Sequence, residues 1–422
     1  MAPTSFILAD VRIFTGTDTI ESGHVIIKNG LIFAVSAGPP PADANVPVAS
    51  KPGHTVVPGF IDAHMHADKG QELALYQSLK FGVTTVMDMH NETVNVHKLK
   101  KLAADKKDEA ADFKAAGVAA TIDGGWPMAV VTAHDKSEET AAEIATWPKL
   151  TSIADAEAYV AHNLSPAGGA DYTKLMHESG AAIGQAFPKP SLDIQKAVIA
   201  ATHAAGHVAV AHCFGRADTL EVLSLGVNGL AHTFMDEPVS QEIVDAYKKA
   251  QAWCNPTLAL LGSFTKEGAA VAERFANDER VKGKLTEKGH ANLCRCMGFA
   301  KEGATVANAY ETVRRLKAEG VPVIVGSDSA GPGLGTAWGA TFHHELYLLV
   351  EECGFSPKEA LYAGTALTAK LFGWNDRGQI APGLKADLVL LEGNPLHDID
   401  ATLNIRNVWR EGIQAKEFQK YI

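Results

Sequence analysis

Two histidines one residue apart, His64 and His66, close the run Val57-Pro58-Gly59-Phe60-Ile61-Asp62-Ala63-His64-Met65-His66. On a β-strand, residues two apart face the same side, so an H-x-H at a strand end can direct two imidazoles at one point. Imidazole binds zinc and related divalent ions, although two histidines on one strand face also serve as structural groups. Three further polar residues add to the pattern. His212 ends Val208-Ala209-Val210-Ala211, His232 ends Leu230-Ala231, and Asp328 follows Val323-Ile324-Val325-Gly326-Ser327. Each closes an apolar run where packing gives no reason for a polar side chain. Lys174, in Asp171-Tyr172-Thr173-Lys174-Leu175-Met176, is a sixth candidate. An ammonium inside a buried strand is costly unless paired or chemically changed. Pairing with Asp171 or Glu178 is one solution. Carboxylation by carbon dioxide is the other, and it gives a carbamate whose two oxygens can bridge two metal ions.

These residues need strands to hold them, and the chain supplies strand-like runs separated by helical ones. The strands are expected over 59–64, 83–88, 118–122, 172–176, 208–212, 229–232, 252–255 and 321–326, with helices such as 71–81, 192–205 and 305–319 between them. Eight strands alternating with helices describe a (β/α)8 TIM barrel, whose active sites lie at the C-terminal ends of the strands. Before it, residues 5–36 alternate apolar and polar positions around Thr15-Gly16 and Asn29-Gly30, a pattern of short antiparallel strands. A Pro/Ala-rich loop is expected over 38–47. After Phe372 short strands return over 386–391 and 405–411. The two ends, 1–57 and 373–422, are therefore expected to make one small flanking β-sandwich around a hydrolase barrel of 58–372.

Composition narrows the partners. The 422 residues are 46% hydrophobic and carry 38 Lys and Arg against 49 Asp and Glu, a net charge of −11, so the chain is globular and poorly suited to a polyanion. Its densest basic run, His97 to Lys101, reads as the solvated face of a helix. Five cysteines in an odd, scattered set read as reduced thiols, and Cys294-x-Cys296, in the helical-looking stretch 293–299, lacks the partners of a zinc cluster. The N-terminal residues lack a signal-peptide pattern, and no apolar run reaches the length of a membrane span. Nucleic acid and membrane are thus excluded as expected partners, and a cytoplasmic location is expected.

Taken together, the strand-1 Pro58-to-His66 motif, Lys174, His212, His232, Gly326-Ser327-Asp328 and Gly378-Gln379-Ile380-Ala381-Pro382-Gly383-Leu384-Lys385-Ala386-Asp387-Leu388 resemble the amidohydrolase superfamily of metal-dependent hydrolases. With Gly82-Val83-Thr84-Thr85-Val86-Met87-Asp88, the chain is most similar to the group of Xaa-Pro dipeptidases, ochratoxinase and imidazolonepropionase relatives. It departs from that group in Met87, where arginine is frequent, and in Glu178-Ser179-Gly180-Ala181, which replaces a more glycine-rich turn.

The resemblance implies a (β/α)8 barrel with a flanking β-sandwich and two divalent ions, zinc being the expected metal. His64, His66 and Asp328 would bind the first ion and His212 and His232 the second, with carboxylated Lys174 bridging them. A hydroxide between the metals would attack an amide of a small substrate, a peptide-like, N-acyl amino acid or mycotoxin-type bond, with Asp328 as general base and then general acid. A cyclic amide or lactone hydrolase with the same site is the enzymatic alternative. A non-catalytic barrel acting as a binding or scaffold protein is the alternative of another class. A homo-oligomer is expected by the same resemblance. Among loop residues at the same barrel face, His134, His343, His344 and Asp88 are candidate substrate contacts, with His90 and Asn91 beside Asp88.

Overall fold

The structure, a computed structural model, describes residues 4–42 and 46–421. Residues 1–3 of the N-terminal segment and 43–45 of the expected Pro/Ala-rich loop lie outside the described residues.

Seven barrel strands are parallel. Strand 1 (Phe60–Met65), strand 2 (Val83–Asp88) and strand 3 (Asp112–Ala115) pair in order, as do strand 4 (Thr173–Met176), strand 5 (Ala209–His212), strand 6 (Gly229–Ala231) and strand 7 (Trp253–Asn255). Single bridges close the ring: Ala120 joins Leu175, Cys254 joins Val323, and Met65 joins Ser329. The segment 323–329 is thus the eighth strand, tied to strand 1 by the N–H groups of Ala63 and Asp328, which donate to Val325 and His64 carbonyls at 2.9 and 2.7 Å. The result is the (β/α)8 barrel expected from the alternation of strands and helices.

Strand 3 corrects the sequence reading, which put it at 118–122. The ladder runs through Asp112–Ala115, and only Ala120 of the later segment bridges to a neighbour. Asp112 and Lys114 gave this stretch too polar a look for a barrel strand. Their charges are answered from far along the chain: Arg377 and Arg410 reach Asp112 at 2.6 and 2.8 Å, and Asp171 lies 3.4 Å from Lys114.

The helices between strands start where caps dictate. Ser191 accepts from Ile194 N–H to open Leu192–Ala204, and Thr305 accepts from Ala307 N–H to open Val306–Ala318. The basic run lies on helix Thr93–Asp105 as expected, with Lys98 and Lys101 exposed and Leu99 turned inward. Of the stretch 293–299 only Leu293 is helical: helix Glu287–Leu293 stops before Cys294, and both cysteines are free.

Strands from both ends of the chain form one eight-stranded sheet in the order Ile413–Gln414, Ile405–Arg410, Leu388–Glu392, His54–Pro58, Phe6–Phe14, Thr19–Lys28, Leu31–Ala37, with Val48–Ser50 also paired to Phe6–Phe14. Bulges around Val11 bend the long first strand, so its first half pairs Val48–Ser50 and its second half His54–Pro58. The expected Asn29-Gly30 turn joins Lys28 to Leu31 with both φ angles positive, 53° and 80°, as a type I′ hairpin requires. Phe6, Leu8, Ile13, Val56, Leu388, Leu390 and Trp409 build this sheet's own core. Inside the barrel, Ile61, Met87, Tyr172, Val210, Trp253 and Ile324 make a separate apolar layer, capped by Phe372.

Candidate active site

At the C-terminal ends of the strands, five of the six candidate ligands form a chain of close contacts. Asp328 Oδ1 lies 3.2 Å from Nε2 of both His64 and His66, and its Oδ2 lies 3.7 Å from His232 Nδ1. The rings of His64 and His232 are 4.8 Å apart between centroids, and those of His232 and His212 are 4.7 Å apart. Donor atoms of His64, His232 and Asp328 all fall within 4.8 Å of one another, a separation one ion can span.

The backbone is bent to reach this geometry. His232 and Asp328 adopt left-handed conformations, φ 82° and 47°, outside the ordinary range for side-chain-bearing residues. Strand 8 also crosses close over strand 1. A Cβ on Gly326 would lie 2.7 Å from the Cβ of His64 and 2.4 Å from the Asn255 side chain, so only glycine fits there. Asp62 then binds the next residue, accepting from Ser327 N–H at 2.9 Å and from its hydroxyl at 2.6 Å.

Several polar atoms in this cluster lack partners. Both ring nitrogens of His64, 0% exposed, and Nε2 of His212 are buried without a hydrogen bond. Such groups are costly unless something else satisfies them. Burial pushes His64 down to about 3 and His212 and His232 well below the usual imidazole range. Their nitrogens are therefore neutral lone-pair donors, the form that binds metal. Burial opposes the charge of Asp328 as well, but the neighbouring histidines hold its carboxyl well below the usual range. At His66 burial is outweighed by Asp328, Asp88 and Asp68, which raise it to about 9. This side of the cluster therefore attracts positive charge. Neutral imidazoles with unpartnered nitrogens around an ionised carboxylate fit a divalent cation.

Lys174 is 1% exposed, and among the described residues no carboxylate lies within ion-pair distance of its Nζ. Burial lowers it to about 7. Its charge also bears on His64, His212 and His232, which places it in the same cluster. Pairing with Asp171 or Glu178, one of the two solutions open to the sequence, is ruled out. Asp171 binds Lys100 and Lys114, while Glu178 accepts from the N–H groups of Gly180 and Phe214 at 2.6 and 2.8 Å and faces His212 Nε2 at 3.6 Å.

The expected substrate contacts fare less well. His343 meets Thr402 Oγ1 and the Phe81 carbonyl, both at 2.9 Å. Phe81 precedes strand 2, so this histidine sits at the opposite end of the barrel and its nitrogens are committed to structure. His344 stacks on Phe275 at 4.9 Å, turned toward helix Ala269–Asn277. A position just after the glycine-rich segment Gly331 to Gly339 misleads, because helix Ala340–Glu351 carries both histidines away from the strand ends. His134 is exposed at the end of the short helix Met128–His134. Asp88 is near the centre but occupied, accepting from Ala67 N–H, His90 N–H and the Asn91 amide at 2.8 to 3.0 Å. His90 accepts from Ala119 N–H at 3.1 Å through Nδ1, and its Nε2 is buried without a partner.

The sequence profile of the amidohydrolase family matches residues 55–414. The chain belongs to the amidohydrolase family. Imidazolonepropionase of Deinococcus deserti is 38% identical over 105 residues, 24% of this chain and 26% of that protein. Ochratoxinase of Aspergillus niger is 26% identical over 234 residues, 54% of this chain and 42% of that protein. The chain thus spans less than half the length of either relative in these matches. Among solved structures, a Xaa-Pro dipeptidase with bound methionine superposes at a TM-score of 0.74 with 22% identity, covering 97% of this chain and 99% of that one. A. niger ochratoxinase superposes at 0.72 with 18% identity, covering 97% and 95%. At such identities the likeness establishes the fold.

Within this amidohydrolase barrel, the sequence reading passed over several residues that shape the centre. Thr257 Oγ1 lies 2.8 Å from His232 Nδ1 and orients that ring. Trp126 stacks on His212 with centroids 5.1 Å apart and planes 18° from parallel. Neither shows a local motif, but Thr257 lies two residues beyond the end of strand 7, a position where side chains reach the site. A second group, His177, Asp218 and Glu221, also has metal-like spacing. Lys189 lies within it, 2.7 Å from Asp218 and 2.5 Å from Glu221, and makes it an ion-pair network. A groove of about 860 Å³ between the terminal sheet and helix Glu279–Lys282, lined by Phe6, Trp409, Arg280 and Lys284, is separate from the imidazole cluster.

Proposed function

We propose that this amidohydrolase-family chain is a binuclear metal-dependent hydrolase that cleaves an amide bond in a small molecule. The carrying observation is the convergence of His64, His66 and His232 on the ionised Asp328 at the C-terminal face of the barrel, with both ring nitrogens of His64 and Nε2 of the adjoining His212 buried and unpartnered. His64, His66 and Asp328 would hold one ion and His212 and His232 the other. Lys174 would join the two sets as a carbamate: the ammonium gives up one proton, the neutral nitrogen bonds to the carbon of carbon dioxide, and a second proton is released to solvent. This change removes a buried positive charge that has no carboxylate partner among the described residues.

When bound, divalent ions supply Lewis acidity, polarising the substrate carbonyl and lowering the pKa of a water toward neutrality. The chain's own part is proton transfer and positioning. Asp328 accepts the proton of the attacking water and returns it to the leaving nitrogen as the carbon–nitrogen bond breaks, which balances the hydrolysis. Asp62 and Ser327 fix the backbone that carries Asp328, and Thr257 orients His232. Asp88 faces His66 with its own oxygens held by N–H groups.

Elemental analysis of the purified protein tests this reading together with hydrolysis of N-acyl amino acids, Xaa-Pro dipeptides, aryl amides, cyclic amides and lactones, each with and without chelator. About two transition-metal ions per chain and chelator-sensitive amide cleavage are expected. Cleavage of lactones or cyclic amides alone would transfer the assignment to that chemistry. No hydrolysis of any class would leave a binding or scaffold barrel.

A further inference from the structure

The two walls of the site differ. On the side of strands 1, 2 and 8 stand the carboxyls of Asp68, Asp88 and Asp328: Asp328 Oδ1 lies 3.2 Å from His66 Nε2, while Asp88 and Asp68 accept from the N–H groups of Ala67 and Gly331 at 3.0 and 2.9 Å. On the side of strands 5 and 6 the histidines meet a continuous run of aromatic rings. Phe214 lies 4.3 Å from His232 and 4.6 Å from His212 between centroids. Trp126 covers His212 and touches Phe187 at 5.6 Å and Phe214 at 5.8 Å. Phe264 continues from Phe214 at 5.0 Å, and Phe299 from Phe264 at 5.7 Å.

Packing accounts for only part of this run. Phe214 and Phe264 are buried, but Trp126 and Phe187 are half-buried and Phe299 is 47% exposed. Trp126 is firmly held, its carbonyl accepting from the Thr121 hydroxyl at 2.7 Å. Three cations that follow these rings in sequence are already paired: Lys189 with Asp218 and Glu221, Arg216 with Glu237 and Glu242, and Lys301 with Asp236. The wall therefore offers ring faces; Lys189, Arg216 and Lys301 are engaged elsewhere, and the exposed Lys266 lies against Gly298 at its outer edge. Aromatic pairs prefer offset or edge contacts at the distances seen here, so an incoming planar ring can extend the run.

We propose that Trp126, Phe187 and Phe299 form a subsite beside His212 and His232 for an uncharged, flat aromatic group on the acyl side of the substrate, with Trp126 as the specificity-determining residue. The acyl assignment follows from the opposite wall: a leaving amine gains a proton, and the carboxyl-rich side receives it. The inference rests on the amide-hydrolase reading only for which half of the substrate is aromatic.

The test uses the metal-loaded protein and two acids of like size, 2-naphthoate and decahydronaphthalene-2-carboxylate, with binding measured by calorimetry. The matching N-acyl glycines are used for turnover. The wild type is expected to bind the naphthoate about tenfold more tightly than the saturated acid. In Trp126→Ala that preference should fall to within about twofold, and Trp126→Phe should retain most of it. With the naphthoyl amide, Trp126→Ala should raise KM about tenfold and leave kcat and metal content near wild type. Equal binding of the two acids by the wild type would overturn the proposal, as would an undiminished preference in Trp126→Ala. Loss of metal from both Trp126 variants would also overturn it, because it would make the tryptophan a support for His212. A protein that cleaves no amide yet shows the naphthoate preference and its loss in Trp126→Ala would sink the amide-hydrolase reading and sustain the aromatic subsite.

Discussion

Asp62 grips Ser327 at two points, accepting from its N–H at 2.9 Å and its hydroxyl at 2.6 Å, and thereby fixes the residue that precedes Asp328. The carboxyl is buried inside the junction of strands 1 and 8. Asp62→Ala would strand both Ser327 donors away from water. A loss of about 2–4 kcal/mol in denaturant unfolding is expected, together with reduced metal content. Asp62→Asn keeps an acceptor and should lose roughly half as much. Equal stability of the alanine variant and wild type would show that the grip is dispensable.

The left-handed backbone at Asp328 makes the choice of replacement matter. Asparagine tolerates φ 47° better than most residues, so Asp328→Asn should keep the fold and much of the bound metal. It lacks a carboxylate to carry the proton, and kcat should drop by at least about 100-fold. Turnover within a few-fold of wild type, measured at matched metal content, would assign proton transfer to another group.

Lys174 occupies an apolar strand with no carboxylate in ion-pair reach among the described residues. Lys174→Met removes the buried amine at similar length. The metal-free variant is expected to unfold at higher denaturant than metal-free wild type by about 1 kcal/mol or more, while its metal uptake collapses. A destabilised methionine variant would mean that the amine has a favourable partner in the metal-free protein.

Glu345 gives a pH dependence from a group that is not itself a proposed ligand. It lies buried on helix Ala340–Glu351 and accepts from Ala259 N–H at 2.5 Å, at the start of helix Leu258–Thr265. Burial raises it to about 8, with Asp62 and Asp328 adding to the rise against the Ala259 and Leu258 N–H groups. Between its ordinary value near 4.5 and about 8, the native protein keeps a proton that the unfolded chain has lost. Stability should therefore fall as pH rises through that window, by up to about 1.4 kcal/mol per unit. Glu345→Gln should lack this component. Unfolding midpoints of wild type and variant from pH 5 to 8 provide the check, and a constant difference between them would refute the assignment.

Much of the centre was legible because its residues interrupt apolar runs. His64, His66, His212, His232 and Asp328 stand where a strand pattern stops, and the structure gathers all five. The third strand was less legible because Asp112 depends on Arg377 and Arg410, partners hundreds of residues away. His343 and His344 misled because a glycine-rich loop says where the chain leaves a barrel, not which way the next helix turns its side chains. Trp126 was invisible for a related reason: its meaning lies in the ring of His212, and no spacing rule connects the two.

The terminal sheet has a consequence for how the protein is made. Strand His54–Pro58 leads directly into strand 1 and is flanked by Phe6–Phe14 on one side and Leu388–Glu392 on the other. On a ribosome the first neighbour emerges early, whereas the second follows the entire barrel. The strand at the threshold of the H-x-H motif thus spends most of synthesis with one hydrogen-bonding edge bare. A nascent chain halted before Leu388 should be the form that most needs a chaperone.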